Sequence, residues 1–189
     1  IEPWDLPDGF WSLYDNPRFM PHLHLPLQSG SDRILRRMAR RCKRDEFARL
    51  VATARSRVPN FNITTDIIVG FPGEGEQEWQ ESMEFIRETG FGHLHIFAFS
   101  PRIGTLAADM PQRVDRDSMR RRSQELHDLG MQMKSETLQH NLGEVCQVLI
   151  EGTEECEDLG GRAWAGYTPN FLRVAIPYGD GEPLENRIV

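Results

Sequence analysis

The sequence is poor in the features that announce a secreted, membrane-bound or strongly cationic protein. Its 189 residues contain three cysteines, Cys42, Cys146 and Cys156. None stands in a Cys-x-x-Cys unit, so neither a disulfide framework nor a thiolate metal site is expected, and three free thiols suit a reducing compartment. Positive charge is not in excess. Lys and Arg number 22 against 29 Asp and Glu, a formal net charge of −7, which excludes a basic nucleic-acid module as a description of the whole chain. No apolar run approaches the roughly 18 residues that cross a bilayer. No basic segment precedes an apolar one as in a secretory leader. A soluble, cytoplasmic protein without membrane partners is expected. No repeat, no nucleophile–base triad and no phosphate loop is legible. The chain starts at Ile1, and reads as a piece of something longer.

What is present alternates between strand and helix patterns. Residues 22–27 read as a strand running into the turn Gln28-Ser29-Gly30. Ser31 and Asp32 are helix-capping types, and apolar positions recur at helical spacing from there to Arg57, as one helix or two. Residues 63–69 form a β-branched apolar run ending at Gly70, the pattern of a buried parallel strand. A helix over 77–89 carries Trp79, Met83 and Ile86 on one stripe. A strand over 93–100 and a largely polar helix over 117–141 follow. After Gly143 the texture changes to short strands at 145–150, 162–165, 171–176 and 187–189, with an acidic loop at 153–161. This predicts a boundary near residue 143, with α/β structure before it and a small β unit after it. Charge divides unevenly. Residues 31–58 hold ten basic and three acidic residues, and residues 144–189 hold three basic and nine acidic. The first block reads as a solvated helix face. The second argues against a strongly electrostatic RNA grip by the β unit alone.

Chemistry is to be sought at the strand ends. The pairs His22/His24 and His93/His95 each point to one face of a strand. They lie near strand starts, whereas parallel α/β barrels work at strand C-termini, so packed histidines are the expected reading and a metal pair the alternative. The strand ends offer Gln28-Ser29-Gly30-Ser31, Asp66 with Gly70-Phe71-Pro72-Gly73-Glu74, and Ser100-Pro101-Arg102-Ile103-Gly104-Thr105. All are small or polar and open on one rim. Asp66 in an apolar strand needs partners. A ribose would supply two hydroxyl donors, and a structurally paired Asp is the alternative.

The runs 24–32 (HLPLQSGSD), 38–41 (MARR), 65–74 (TDIIVGFPGE) and 100–105 (SPRIGT) resemble those of the radical S-adenosylmethionine (SAM) methylthiotransferases, and the resemblance spans almost the entire chain. Residues 166–174 (GYTPNFLRV) resemble the TRAM module that closes these enzymes. Residues 1–4 and 93–97 are most similar to the branch that methylthiolates threonylcarbamoyladenosine beside the tRNA anticodon. The resemblance implies half of a partial parallel (β/α) TIM-like barrel with a linker helix over 1–143, then a small all-β TRAM-like domain over 144–189 that stops early relative to the family's. It implies SAM binding through Gln28, Ser29, Arg40, Asp66, Ile68, Gly70, Ser100 and Arg102, with Asp66 on the ribose, Arg40 on a carboxylate or ribose, and Ile68 and Gly70 packing the adenine. It implies tRNA as partner, met by Tyr167, Asn170 and Arg173. It also implies a 4Fe–4S cluster in the parent protein that cleaves SAM reductively, and an auxiliary cluster donating sulfur. The Cys-x-x-x-Cys-x-x-Cys motif of the first cluster is missing here, so no metal ligand and no catalysis is expected from this chain alone. Two alternatives remain open at this point: a non-catalytic RNA-binding piece, and a metal-dependent barrel hydrolase using the His-x-His pairs.

Overall fold

The computed structural model describes residues 1–7, 9–179 and 181–189. A parallel sheet of order β1-β2-β3 is formed by β1 (His22–His24), β2 (Asn62–Val69) and β3 (His93–Ala98). Helices α1 (Asp32–Arg37) and α2 (Arg44–Arg57) connect β1 to β2. Helix α3 (Glu76–Thr89) connects β2 to β3, and α4 (Arg116–His140) follows. Along β2 the odd residues Ile63, Thr65, Ile67 and Val69 are buried beneath the helices. Phe47, Val51 and Ala54 of α2, Trp79, Phe85 and Ile86 of α3, and Leu126, Leu129 and Met133 of α4 close this core at helical spacing. The even residues of β2 and the histidines of β1 and β3 face the other side, which no helix covers among the described residues.

The helical stretch after Asp32 divides in two. Ala39 takes a left-handed conformation (φ 56°), the Ala39 amide donates to the Arg36 carbonyl and the Arg40 amide to the Leu35 carbonyl. This is the double bond of a Schellman ending, built on alanine rather than glycine, and it turns Arg40 back toward the strand ends.

A second sheet, antiparallel and of order β4-β5-β6, comprises β4 (Leu149–Cys156), β5 (Gly161–Tyr167) and β6 (Arg173–Pro177) around Val148, Ile150 and Trp164. Several sequence expectations shift here. The strand expected at 145–150 begins at Leu149. Of the acidic loop expected at 153–161, residues 153–156 belong to β4, with Thr153 and Glu155 on its exposed face, and Glu157–Leu159 form a 3-10 turn. Residues 187–189 contribute one bridge, Leu149 to Ile188, rather than a strand.

Two asparagines join the sheets. Asn62 at the start of β2 donates to the Asn170 carbonyl (2.8 Å), and the Asn170 amide donates to the Asn141 side chain (3.1 Å). A cavity of about 380 Å³ lies at this seam, lined by Arg55, Asn62, His140 and Asn170 among others. Phe171 completes the seam, stacked on both His22 (4.5 Å) and Tyr167 (4.6 Å).

Candidate functional site

The C-terminal ends of the parallel strands carry the unusual backbone. Pairing runs in register from His22↔Asn62 to His24↔Thr64, then slips by one residue to the isolated bridge Gln28↔Ile67. Gln28 absorbs the slip in a left-handed conformation (φ 73°), bonding both ways across to β2 through Asp66 and Ile68. A non-glycine residue held so carries strain, which concentrates at functional positions.

Asp66 stands on the uncovered face, its side chain 24% exposed. His24 Nε2 lies 3.3 Å from its Oδ1, and among the described residues no other basic side chain is within 4.0 Å. His95 is its register partner on β3. Ile68 is half-buried on the same face. A carboxylate with one histidine partner and open surroundings retains acceptor capacity for a diol. These residues therefore fit a ribose.

The other expected site residues divide. Ser29 is 1% exposed and is turned under α3, where its hydroxyl meets that of Ser82 (3.3 Å) and accepts from the Ser31 amide. Gly30 beside it admits no Cβ, because the Ser82 backbone would collide with one. Ser29 thus seats the turn and has no free face for a ligand. Arg40 reaches the strand ends but its guanidinium is already engaged. It forms a bidentate pair with Glu2 (3.1 and 2.6 Å), donates to the Pro26 carbonyl (2.7 Å) and lies over the Trp4 ring. Glu2 stands where a ligand carboxylate was expected. Gly70 is buried in a left-handed turn (φ 80°), with Met119 of α4 packed where a side chain would project. Its amide donates to Glu74 (3.0 Å). Ser100 and Arg102 are exposed after β3.

Of the expected RNA contacts, Asn170 is 8% exposed and bonded to Asn62 and Asn141 at the seam. Tyr167 is half-buried against Phe171. Arg173 is exposed, paired with Glu154 and stacked over Tyr167. The arginine block is also less free than a solvated face. Arg33, Arg36, Arg37, Arg40, Arg44 and Arg55 all donate to carboxylates or carbonyls within the protein.

The packed-histidine reading holds for β1 only. His22 and His24 bond to Thr64 Oγ1 at 3.2 and 3.0 Å, whereas His93 and His95 are exposed. Among the described residues no three of His, Cys, Asp and Glu are arranged to hold a metal ion, so the hydrolase alternative loses its ligand set. The same observation bears on an iron–sulfur cluster. Cys42, between α1 and α2, Cys146, before β4, and Cys156, at the end of β4, are unpaired, and burial pushes the Cys42 thiol up to about 11. These cysteines do not fit a cluster. Sequence reasoning missed Thr64, the hub of the β1 histidines, although its even position beside Asp66 placed it on their face. It also missed Glu2, which lies 38 positions from Arg40 and carried no local signal.

A three-stranded parallel sheet covered by helices on one side, with small and polar residues at its strand ends, is an α/β fold. Residues 12–86 match the family model described as the Radical SAM superfamily, whose members use SAM and a 4Fe–4S cluster. Coproporphyrinogen III oxidase (HemN) from Escherichia coli, a radical SAM enzyme, has the same fold over 70% of this chain and 31% of its own, with a TM-score of 0.57 and 16% identity. Nearer in sequence are proteins named tRNA-2-methylthio-N(6)-dimethylallyladenosine synthase. That of Thermobifida fusca is 40% identical over 92% of this chain and 35% of its own length. That of Caldicellulosiruptor saccharolyticus is 39% identical over 83% and 34%, and that of Tropheryma whipplei 37% over 84% and 34%. The chain spans about a third of the length of the curated relatives it matches.

Proposed function

We propose that this chain is the SAM-positioning part of a radical SAM tRNA methylthiotransferase that acts in the cytoplasm on a modified adenosine beside the anticodon. The observation that supports the reading most is the pairing of strained Gln28 with Asp66 and Ile68 at the strand ends, within the segment that matches the radical SAM family. Asp66 accepts the ribose hydroxyls, Ile68 offers an apolar surface to the adenine, and Gln28 closes the edge. Ser29 and Arg40 support them from beneath, Ser29 by seating the turn and Arg40 by fixing the Pro26 carbonyl two residues before Gln28. SAM supplies the radical chemistry when bound. The chain's own share is to bind and orient it, and with no thiolate set for a cluster the chain is inactive in isolation. Residues 1–143 act as the half-barrel and 144–189 as a TRAM-like unit, with Tyr167 and Arg173 toward tRNA.

For the target base, threonylcarbamoyladenosine follows from the resemblance of residues 1–4 and 93–97. Dimethylallyladenosine is a second reading, favoured by the names of the relatives. Mass spectrometry of tRNA nucleosides from a strain deleted for the gene distinguishes them. Loss of the methylthio group from threonylcarbamoyladenosine supports the first, loss from dimethylallyladenosine the second, and an unchanged nucleoside profile refutes both.

A further inference from the structure

The open face of the parallel sheet carries a hydrogen-bonded chain that the proposed ribose contact does not explain. His22 Nε2 is 3.2 Å from Thr64 Oγ1, the same oxygen is 3.0 Å from His24 Nδ1, and His24 Nε2 is 3.3 Å from Asp66 Oδ1. Proton counting fixes its direction. An ionised carboxylate only accepts, so the nitrogen facing Asp66 must carry hydrogen. In neutral His24 the other nitrogen, Nδ1, then accepts, and only the Thr64 hydroxyl can donate to it. Having spent its one proton there, Thr64 Oγ1 must accept from His22, whose Nε2 carries hydrogen in turn. His22 is suited to remain neutral, because it is stacked beneath Phe171 and burial, the largest cause, pushes it down to about 4. Thr64 is 3% exposed, so water does not compete for its hydroxyl.

We infer that His24 is a positioning residue for Asp66, held as its Nε2–H tautomer by a one-way chain that starts at His22 and passes through Thr64. The chain orients the carboxylate and leaves its second oxygen to the ligand; the inference rests on the reading of Asp66 as the ribose acceptor. His24 touches Asp66 and need not touch the ligand. The chemistry recognised is a vicinal diol, and the second hydroxyl distinguishes it from a deoxyribose.

The tautomer is read in the 189-residue chain with ¹⁵N-labelled histidine, by long-range ¹H–¹⁵N correlation. An Nε2–H pattern for His24, shifting toward a tautomer mixture in the isosteric Thr64→Val variant, supports the chain. An Nδ1–H pattern in the parent, or one that Thr64→Val leaves unchanged, overturns it. The same spectra report titration with SAM and with its 2′-deoxyribose analogue. Asp66→Ala tests the underlying reading. Asp66→Ala and His24→Leu should each weaken SAM about tenfold or more and erase the preference over the deoxy analogue. If Asp66→Ala weakens SAM and His24→Leu does not, the positioning role falls and the ribose reading stands. If Asp66→Ala changes nothing, or if SAM causes no shift in the parent chain, the ribose reading falls and with it the ligand-orienting role of His24. The tautomer then decides only whether the hydrogen-bonded chain exists.

Discussion

The loop that follows Asp66 is clamped by a buried ion pair, and removing its cation gives a measurable prediction. Arg122 of α4 and Glu74 are 5% and 2% exposed and meet at 2.9 Å. Arg122 also donates to the Glu74 carbonyl (2.9 Å), and Glu74 accepts from the Gly70 amide (3.0 Å). Burial raises the Glu74 carboxyl above its ordinary range in spite of the Gly70 amide and the arginine, which act downward. Arg122→Met would leave a buried carboxylate with one amide partner. Breaking such a pair from one side costs about 3–5 kcal/mol. For a chain of this size that is a fall in Tm of roughly 6–20 °C. The pH dependence carries the sign. A carboxyl raised on folding favours the native state when protonated, so its ionisation erodes stability as pH rises from about 4.5 through the higher folded value. The erosion is steeper without Arg122, so the deficit of the variant should be larger at pH 7 than at pH 4. Glu74→Gln added to Arg122→Met should recover stability at pH 7. Urea unfolding of the parent, Arg122→Met and the double variant at the two pH values measures this. A deficit below about 1 kcal/mol, or one equal at both pH values and unrelieved in the double variant, would refute the account.

Three further outcomes follow from the same structure. Gly70→Ala should destabilise by about 1–3 kcal/mol, because its left-handed backbone and Met119 both oppose a side chain, and adding Met119→Ala should relieve only the overlap; urea midpoints test it. Phe171→Ala should uncover His22 and let its pKa climb from about 4 toward 6.5, followed by NMR titration. Since a depressed histidine contributes stability above 6.5 that is lost as pH falls toward 4, the variant should lose less stability than the parent across that interval. Anaerobic reconstitution of the isolated chain with iron and sulfide should yield no cluster absorbance. Three or more irons per chain that disappear with Cys42→Ser would contradict it, against a thiol that burial keeps protonated.

The elements most legible in the sequence were those whose period was uninterrupted. Residues 63–69 and 77–89 announced β2 and α3 within a residue or so. The strand expected at 22–27 stops at His24 for a local reason. Pro26 has no amide to give, and the Leu27 amide donates to the Thr65 hydroxyl (2.9 Å) rather than to a ladder carbonyl. In the second sheet the run of glutamates looked like a loop by composition, but Glu151 and Glu155 fall on the solvent side of a two-residue alternation and Glu154, on the other side, is paired with Arg173. At the site, the face shared by Asp66 and Ile68 followed from the strand period. What Arg40 and Asn170 do did not, because their partners, Glu2 and Asn62, lie far away in sequence and are brought together only by the fold.

The placement of the seam limits what the second sheet can do to the site. Asn62 marks the N-terminal end of β2 and Gly70 follows its C-terminal end. At about 3.3 Å per residue the two are roughly 26 Å apart along the strand, and Asp66 is roughly 13 Å from the seam. A group on the antiparallel sheet therefore does not reach a ligand at the strand ends. Contact between the two must pass along the open face, and there the side chains are continuous. Tyr167 stacks on Phe171, Phe171 on His22, and His22 leads through Thr64 and His24 to Asp66. Phe171 holds its place through a left-handed backbone (φ 63°) fixed by the Thr168 turn, whose amide and hydroxyl bond to Leu172 and Asn170. A partner that displaced the Phe171 ring would unstack His22 at one end of the line and release the hydroxyl that sets His24 at the other. The length of β2 separates the sheets, and its even-numbered face carries the side chains that join them.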